Sequence, residues 1–205
     1  MQNKFIVIEG MDGSGKSTLV HALKKKLGDT CDIFREPTSQ SPCAVEIREI
    51  LSGKKSEKES ILRQLFIQDR LWDIEHNLMP SAKKSQITIL DRYYFSTAAY
   101  QGKDKNDVKA IIDDYIKNPK ILQPDMVFYL QIPLNVALSR IQARNEKIEI
   151  FEQSSRLKKI NDNYECIFSN SFVKNTFSFP VHILDAMAKP EEILQEILDR
   201  TVPAI

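Results

Sequence analysis

The stretch FIVIEGMDGSGKST, residues 5–18, joins an apolar run to a turn that contains three glycines and a lysine. The spacing from Gly10 through Gly15 to Lys16 and Ser17 satisfies the G-x-x-x-x-G-K-[ST] pattern of a phosphate-binding loop. Glycine lets the backbone curl until several N–H groups converge on one anion, and a following helix adds its positive N-terminal end. The pattern therefore predicts a phosphate site, with Lys16 at the terminal phosphates and the Ser17 hydroxyl on Mg²⁺.

The composition is that of an ordinary globular protein. The 205 residues predict one domain over 1–205, and the sequence is 42% hydrophobic and 28% charged, with a net charge of +1. This balance favours neither nucleic acid nor a membrane as a partner, and no apolar run approaches the length that spans a bilayer. Three widely spaced cysteines, Cys31, Cys43 and Cys166, are interpreted as reduced thiols of a cytoplasmic protein.

Strand and helix patterns alternate along the chain. The apolar, β-rich runs predict five strands, at 5–9, 31–34, 87–91, 126–132 and 181–184. Helical patterns lie at about 16–28, 43–53, 57–82, 93–101, 105–118, 134–145, 152–170 and 190–200. Apolar strands without polar alternation, separated by helices, indicate an α/β fold: a five-stranded parallel sheet with helices on both faces. Such sheets bind ligands beyond the carboxyl ends of their strands.

A second polar motif, DRYYFSTAAYQG, occupies residues 91–102, directly after the third predicted strand. Asp91 closes the run ITIL, a position from which a carboxylate can hold Mg²⁺ or its water. Arg92 can hold a phosphate oxygen through two N–H groups, which lysine cannot do. Taken alone, an aspartate and an arginine at a helix start serve equally well as a helix cap.

Two further pairs of residues lie one helical turn apart. Phe66 and Arg70 share a helix face, where a ring and a guanidinium can clamp a nucleobase, although the spacing alone favours a core residue and a solvated charge. Arg140 and Arg144 precede a polar stretch, and we expect a short lid at about 141–153. Basic residues on such a lid can close over transferring phosphates, and a solvated helix face explains them equally well.

Together these segments resemble the thymidylate kinase family over nearly the whole chain and in the same order. DRYYFSTAAYQG matches the family signature D-R-Y-x-x-S-x-x-A-Y-Q-G at every specified position. REP at 35–37 and LFIQDR at 65–70 are similar to the second motif and the base-binding segment. The resemblance implies a P-loop NTPase-type fold and a phosphotransferase that makes thymidine diphosphate (dTDP) from thymidine monophosphate (dTMP) and ATP with Mg²⁺. It also implies a cytoplasmic homodimer.

The resemblance assigns a role to each matching residue. For ATP it implies Gly10, Met11, Asp12, Gly13, Ser14, Gly15, Lys16, Ser17, Thr18 and Arg140. For dTMP it implies Arg35, Glu36, Arg48, Phe66, Arg70, Arg92, Ser96, Thr97, Tyr100 and Gln101. Within this second set, Phe66 is expected to stack on thymine and Arg70 to contact its carbonyl edge. Arg48 and Arg92 are expected to hold the monophosphate, and Tyr100 to exclude a 2′-hydroxyl.

Catalysis and the metal site follow from the same resemblance. It implies catalytic roles for Lys16, Asp12, Arg92 and Arg144, and metal ligation by Ser17 and Asp91. Some members of the family carry an arginine in the phosphate loop, where this chain has Gly13 and Ser14. The lid must then supply the positive charge, from Arg144 or Lys147. The best matches to the family's acidic residues after the lid are Glu149 and Glu152.

Three other functions compete with this interpretation. A deoxynucleoside kinase needs a carboxylate base near the sugar, and Glu36 is the candidate for it. A GTP-binding switch normally recognises guanine through N-K-x-D, which does not occur in this sequence. The third is a related protein that binds nucleotides without turning them over. The intact set of Gly15, Lys16, Ser17, Asp91 and Arg92 weighs against it but does not exclude it.

Overall fold

Five parallel strands form one sheet in the computed structural model, which describes residues 3–143 and 154–201. The strands are β1 (Lys4–Glu9), β2 (Cys31–Arg35), β3 (Ile87–Asp91), β4 (Met126–Gln131) and β5 (Val181–Asp185). Their order in the sheet is β2-β3-β1-β4-β5. The chain leaves β1 toward one side for β2 and β3 and then crosses to the other side for β4 and β5. The carboxyl end of β1 is therefore a topological switch point, where α/β sheets bind ligands.

Ten α-helices are found in the described ranges and surround this sheet. They are α1 (Lys16–Leu27), α2 (Ala44–Leu51), α3 (Glu59–Asp73), α4 (Met79–Lys84), α5 (Tyr94–Gln101), α6 (Lys105–Lys117), α7 (Leu134–Gln142), α8 (Ser154–Ile167), α9 (Asn170–Thr176) and α10 (Pro190–Thr201). The predicted parallel α/β fold is confirmed. No helix in the described part of the chain is long and apolar enough to cross a membrane.

The core explains why the strands read as continuous apolar runs. All five residues of β3 are buried, as are five of the six in β1. In the centre of the sheet, Val7, Leu90 and Phe128 have no exposed surface. Both faces of these strands are covered, so side chains that point either way must be apolar. Glu9 and Asp91 are the last residues of β1 and β3, so both carboxylates lie at the same edge of the sheet.

Two predicted helices are interrupted in the structure. The helix expected over 57–82 consists of α3, a π-helical turn at Ile74–Leu78 and α4. The helix expected over 152–170 ends at Ile167, and α9 follows because the Ser169 hydroxyl accepts a hydrogen bond from the Phe172 N–H and caps it. The spacing of apolar residues in a continuous helix and in a helix with one wider turn is nearly the same. The sequence pattern therefore did not predict the π-helical turn.

The π turn follows Asp73, whose side chain is fully buried. Its Oδ1 atom accepts a hydrogen bond of 2.6 Å from Asn77, and its Oδ2 atom has no hydrogen-bond partner in the described ranges. Burial raises the pKa of Asp73 to about 6. An unfolded aspartate titrates near pH ~4. Between these two values the folded chain holds a proton that the unfolded chain has released, so the free energy of unfolding falls as the pH rises.

We predict that Asp73→Asn stabilises the fold at pH 7.5 by about 2 kcal/mol, because it removes a buried charge and keeps the acceptor for Asn77. The gain should be smaller at pH 5, where the wild-type carboxyl is mostly protonated. Urea unfolding at both pH values measures the difference. Asp199→Asn, at an exposed site on α10, is the matched control and should change little. A loss of stability at pH 7.5 in Asp73→Asn would contradict the prediction.

Candidate active site

The predicted phosphate loop connects β1 to α1 at the switch point. Gly10, Gly13 and Gly15 have φ angles of 153°, 81° and 95°, a region that side chains other than glycine rarely adopt. Gly13 also lies close to α7, since a Cβ atom there would stand 2.7 Å from the Ala137 carbonyl oxygen. The glycines of the loop are therefore required for two reasons: the backbone curves sharply there, and Gly13 packs closely against α7.

Lys16 lies within this loop rather than in solvent. Its Nζ donates hydrogen bonds to the carbonyl oxygens of Gly10 at 2.7 Å and Met11 at 3.0 Å. Burial lowers the pKa of Lys16 to about 8, and the positive charge of Arg92 acts in the same direction. Phosphate oxygens at the loop would raise the pKa of Lys16 again, because a nearby negative charge stabilises the protonated ammonium group.

A cavity of about 1100 Å³ opens above the loop, and we call it the donor cavity. Its walls include Asp12, Gly13, Ser14, Gly15, Lys16, Ser17, Thr18 and Arg140. Gly10 and Met11, also predicted for ATP, are not among the lining residues, and the Met11 side chain is in the core. The Arg140 guanidinium donates to the carbonyl oxygens of Gly13 at 3.3 Å and Ala186 at 3.4 Å, so it links two walls.

The far wall of the donor cavity was not among the predicted site residues. It is formed after β5 by Ala186, Met187, Ala188, Lys189, Pro190 and Ile193. The resemblance to the family pointed to this region only through ILDA, residues 183–186, which is similar to the family's adenine-side loop. In the sheet, β5 lies at the edge next to β4.

A second cavity of about 300 Å³ lies beside the first, and we call it the acceptor cavity. All ten residues predicted for dTMP line it: Arg35, Glu36, Arg48, Phe66, Arg70, Arg92, Ser96, Thr97, Tyr100 and Gln101. The remaining lining residues are Asp12, Pro37, Thr38, Ser39, Leu51 and Tyr93. Arg48 is largely exposed, and its Nη2 atom donates to the Ser39 carbonyl oxygen at 3.0 Å.

Arg70 and Glu36 form a buried ion pair at the inner end of the acceptor cavity. The Glu36 Oε2 atom accepts hydrogen bonds from Arg70 Nε at 2.8 Å and Nη2 at 2.5 Å. The guanidinium lies between the rings of Tyr93 and Tyr115, with its carbon 5.0 Å and 4.7 Å from their centroids. Burial raises the pKa of Glu36, while the positive charge and hydrogen bonds of Arg70 oppose the rise and favour the carboxylate.

The inner end of the acceptor cavity also carries unused hydrogen-bonding atoms. In the described part of the chain no partner is found for Arg70 Nη1, Glu36 Oε1 or either amide atom of Gln101. Buried polar atoms are rarely left unpaired, because each costs about 1–3 kcal/mol. These donors and acceptors suit the polar edge of a planar heterocycle, while Phe66 supplies an aromatic face in the same cavity.

Three residues line both cavities: Asp12, Arg35 and Arg92. The Arg92 guanidinium pairs with Asp12 Oδ1, donates to Ser96 Oγ at 3.3 Å and lies 5.0 Å from the centre of the Tyr100 ring. Tyr100 donates its hydroxyl hydrogen to Asp12 Oδ2 at 2.7 Å. Burial lowers the pKa of Arg92. The negative charge of Asp12 and the Tyr100 hydroxyl together raise the pKa by more than burial lowers it, so its net shift is upward. The guanidinium is therefore a permanent positive charge between the cavities.

The backbone of Arg92 is unusual. Its φ angle is +73°, and its N–H donates to the Ile8 carbonyl oxygen at 3.0 Å, which ties it to β1. A non-glycine residue in this region stores about 1–3 kcal/mol of strain. This backbone conformation directs the arginine side chain into the two cavities. The sequence motif indicated only that Arg92 follows a strand.

Ser17 and Asp91 were predicted as metal ligands. Ser17 is exposed on the wall of the donor cavity. Asp91 is buried, its Oδ2 atom lies 3.8 Å from Arg35 Nε, and its Oδ1 atom has no hydrogen-bond partner within the described ranges. An unpaired carboxylate oxygen beside a phosphate loop fits a hydrogen bond from a Mg²⁺-bound water.

Glu9 is a buried carboxylate beneath the site that the sequence motifs did not indicate. It is fully buried at the end of β1 and accepts hydrogen bonds from the N–H groups of Tyr93 at 2.7 Å and Ser96 at 3.1 Å. The hydroxyl groups of Ser96 and Tyr164 donate to it at 2.8 Å and 3.0 Å. Burial raises the pKa of Glu9, whereas Arg92 and these bonds lower it. The sequence offered one signal for this residue, since Glu9 is a carboxylate directly after the apolar run FIVI.

The predicted lid lies almost entirely outside the described residues. This applies to Arg144, Lys147, Glu149 and Glu152. Their roles stay predictions, and the choice between Arg144 and Lys147 as the catalytic cation stays open.

Comparisons with known proteins show which family this chain is similar to. A family model described as Thymidylate kinase matches residues 8–197, which include every lining residue of both cavities. The thymidylate kinase of Leptospira borgpetersenii serovar Hardjo-bovis is 36% identical over 95% of this chain and 91% of its own length. The probable thymidylate kinase of Methanocaldococcus jannaschii is 41% identical over 80% of this chain and 81% of its own length.

A solved structure supports the fold. The thymidylate kinase from Candida albicans is similar to this chain with a TM-score of 0.78, covering 97% of this chain and 91% of that one, at 21% identity. The identity is too low to carry more than the fold. The family match and the sequence relatives carry the assignment: this chain belongs to the thymidylate kinase family.

Proposed function

We propose that this chain, as one kinase domain, transfers the γ-phosphoryl group of ATP to dTMP, giving dTDP and ADP. The observation that carries the proposal is the junction of the two cavities at Asp12, Arg35 and Arg92. One cavity contains the phosphate loop, and the other contains an aromatic face and an unused polar edge. Two nucleotides bound there would point their phosphates toward each other across Arg92.

On the donor side, the loop N–H groups and Lys16 would hold the β- and γ-phosphates. Arg140 keeps the loop and the segment after β5 together through Gly13 and Ala186. The adenine would then lie near that segment, the far wall of the donor cavity.

On the acceptor side, Phe66 would stack on thymine. The free atoms of Arg70 and Gln101 would bond its polar edge. Arg92, assisted by Arg48, would hold the monophosphate, because guanidinium groups bind phosphate through paired N–H groups. Tyr100 would face the sugar and favour deoxyribose.

The chemistry demands positioning and charge neutralisation. A phosphate oxygen of dTMP attacks the γ-phosphorus, a new P–O bond forms, and the bond to the β-phosphate oxygen breaks to release ADP. The attacking oxygen is already anionic, so no strong base is needed. Arg92 and Lys16 neutralise the charge of the transferred group, and Asp12 holds Arg92 in place. Mg²⁺, held through Ser17 and Asp91, would neutralise the β- and γ-phosphate oxygens.

The nucleoside kinase alternative is less well supported by the geometry. That reaction needs a free carboxylate near the sugar hydroxyl. Glu36 accepts two hydrogen bonds from Arg70 and is buried at the inner end of the acceptor cavity. We therefore propose that Glu36 orients Arg70 toward the base.

An acceptor panel tests the proposed function. With ATP and Mg²⁺, ADP release should be clearly fastest with dTMP among dTMP, deoxyuridylate, uridylate, deoxyguanylate and free thymidine. EDTA in excess should abolish the activity, and added Mg²⁺ should restore it, because the metal neutralises the phosphates. Activity on free thymidine alone would contradict the proposal and make Glu36 a base. Binding of ATP without turnover of any acceptor would favour a non-catalytic relative.

We predict that Arg92→Ala lowers kcat/KM for dTMP on the order of 10³-fold, because it removes the charge between the cavities. The Kd for ATP, measured by calorimetry without acceptor, should change far less. Arg200→Ala is the matched control, since Arg200 pairs only with Glu196 on the exposed face of α10 among the described contacts. Near-normal activity of Arg92→Ala would contradict the role assigned to this residue.

We also propose a homodimer formed through α2 and α3. The apolar side chains of Val45 and Ile61, on these helices, are 66% and 37% exposed. Sedimentation velocity should give twice the mass of one chain, and Val45→Lys should shift the protein toward the monomer, since an interface of apolar side chains does not accommodate an ammonium group. A wild-type chain that sediments as a monomer at micromolar concentration would refute the proposal.

A further inference from the structure

We propose that α8 positions the acceptor helix α5 for phosphoryl transfer, through the consecutive residues Asn163 and Tyr164. The inference rests on the proposed function, because α5 carries four of the acceptor-site side chains: Ser96, Thr97, Tyr100 and Gln101. Neither Asn163 nor Tyr164 is among the lining residues of the donor or the acceptor cavity. Both are therefore positioning residues, which act on the substrate through other side chains.

Tyr164 holds the beginning of α5. Its side chain is fully buried, and its hydroxyl lies 2.9 Å from Ser96 Oγ and donates to Glu9 Oε2 at 3.0 Å. The same carboxylate accepts the N–H groups of Tyr93 and Ser96, at the start of the helix. The first N–H groups of a helix have no hydrogen-bond partner within the helix. Glu9, at the end of β1, accepts these hydrogen bonds and so caps α5. Tyr164 completes this cap from α8.

The cap is continuous with the charged junction between the cavities. Ser96 accepts a hydrogen bond from Arg92, which pairs with Asp12, and Asp12 accepts the Tyr100 hydroxyl hydrogen. The Tyr100 ring in turn meets the Tyr164 ring edge-on, with centroids 6.2 Å apart and planes at 89°. Tyr164 thus contacts both side chains of α5 that flank the Arg92 guanidinium. Loosening Tyr164 would loosen the group that holds the monophosphate.

Asn163 holds the end of α5. Its side chain is 5% exposed, and its Nδ2 atom donates to the carbonyl oxygens of Ala99 at 2.8 Å and Gly102 at 3.0 Å. The last carbonyl groups of a helix lack partners within it, so this amide satisfies acceptors that would otherwise be buried and unpaired. Tyr100 and Gln101 lie between the two carbonyl groups that Asn163 binds. The side-chain amide therefore fixes the turn that presents them to the acceptor.

The test is Tyr164→Phe, which removes one hydroxyl and keeps the ring that stacks on Tyr129 and Phe168. The KM for dTMP should rise about five- to tenfold, the effect of one lost hydrogen bond of ordinary strength. The KM for ATP should stay within about twofold, because Lys16 and Arg140 on the donor side are unchanged. Asn163→Ala should show the same split. It serves as the second variant if Tyr164→Phe does not fold.

A double-mutant cycle separates positioning from a general loss of stability. Because the Tyr164 and Ser96 hydroxyl groups donate to the same Glu9 oxygen and lie 2.9 Å apart, Tyr164→Phe in a Ser96→Ala background should add less than a twofold rise in the KM for dTMP. Tyr129→Phe is the matched control: its ring stacks on Tyr164 from β4, with centroids 5.5 Å apart, and it lies outside both cavities. It should leave both KM values near wild type.

Three results would overturn the inference. The first is an unchanged KM for dTMP in Tyr164→Phe, and the second is an equal rise in the KM for ATP. The third is full additivity with Ser96→Ala. Failure of the proposed function is recognised in the wild-type chain. If the wild-type chain does not phosphorylate dTMP, both proposals are wrong. A difference confined to the variants concerns the role of α8 alone.

Discussion

The ion pair between Arg92 and Asp12 is the interaction on which the site depends. Arg92 follows β3 and Asp12 follows β1, two strands that are neighbours in the sheet, so the pair joins the two cavities across one strand spacing. A buried guanidinium without a partner would cost several kcal/mol, and Asp12 compensates it. The positive φ angle of Arg92 shows that the fold accepts strain to place this charge where two phosphates would meet.

The surrounding residues stabilise this arrangement in layers. Tyr100 and Ser96 bond the pair from α5, and Glu9 caps α5 from β1. The cap depends on Tyr164 from α8. Every layer reaches the next through hydrogen bonds between buried or partly buried groups, and such bonds are stronger than the same bonds in water. A rigid, preorganised acceptor site is what a phosphotransferase requires, because its catalysis comes from positioning and electrostatics.

Much of this molecule could be predicted from its sequence. The five strands were placed by apolar runs, since strands covered on both faces must be apolar throughout. The phosphate loop was placed by its glycine and lysine spacing, and the acceptor residues by a resemblance to the family signature; all ten of them line one cavity. The π turn after Asp73 was missed because an apolar period does not distinguish one wider turn from a continuous helix.

The sequence by itself determined the fold class, a parallel sheet with helices on both faces, and the position of the phosphate loop, because these depend on local spacing and on continuous apolar runs. Only the tertiary structure decided which distant residues meet. Glu9 and Tyr164 are 155 positions apart, and neither lies in a binding motif, yet they share one hydrogen bond beneath the acceptor site. Such contacts arise from the packing of helices on the sheet, and a linear pattern carries no signal for them.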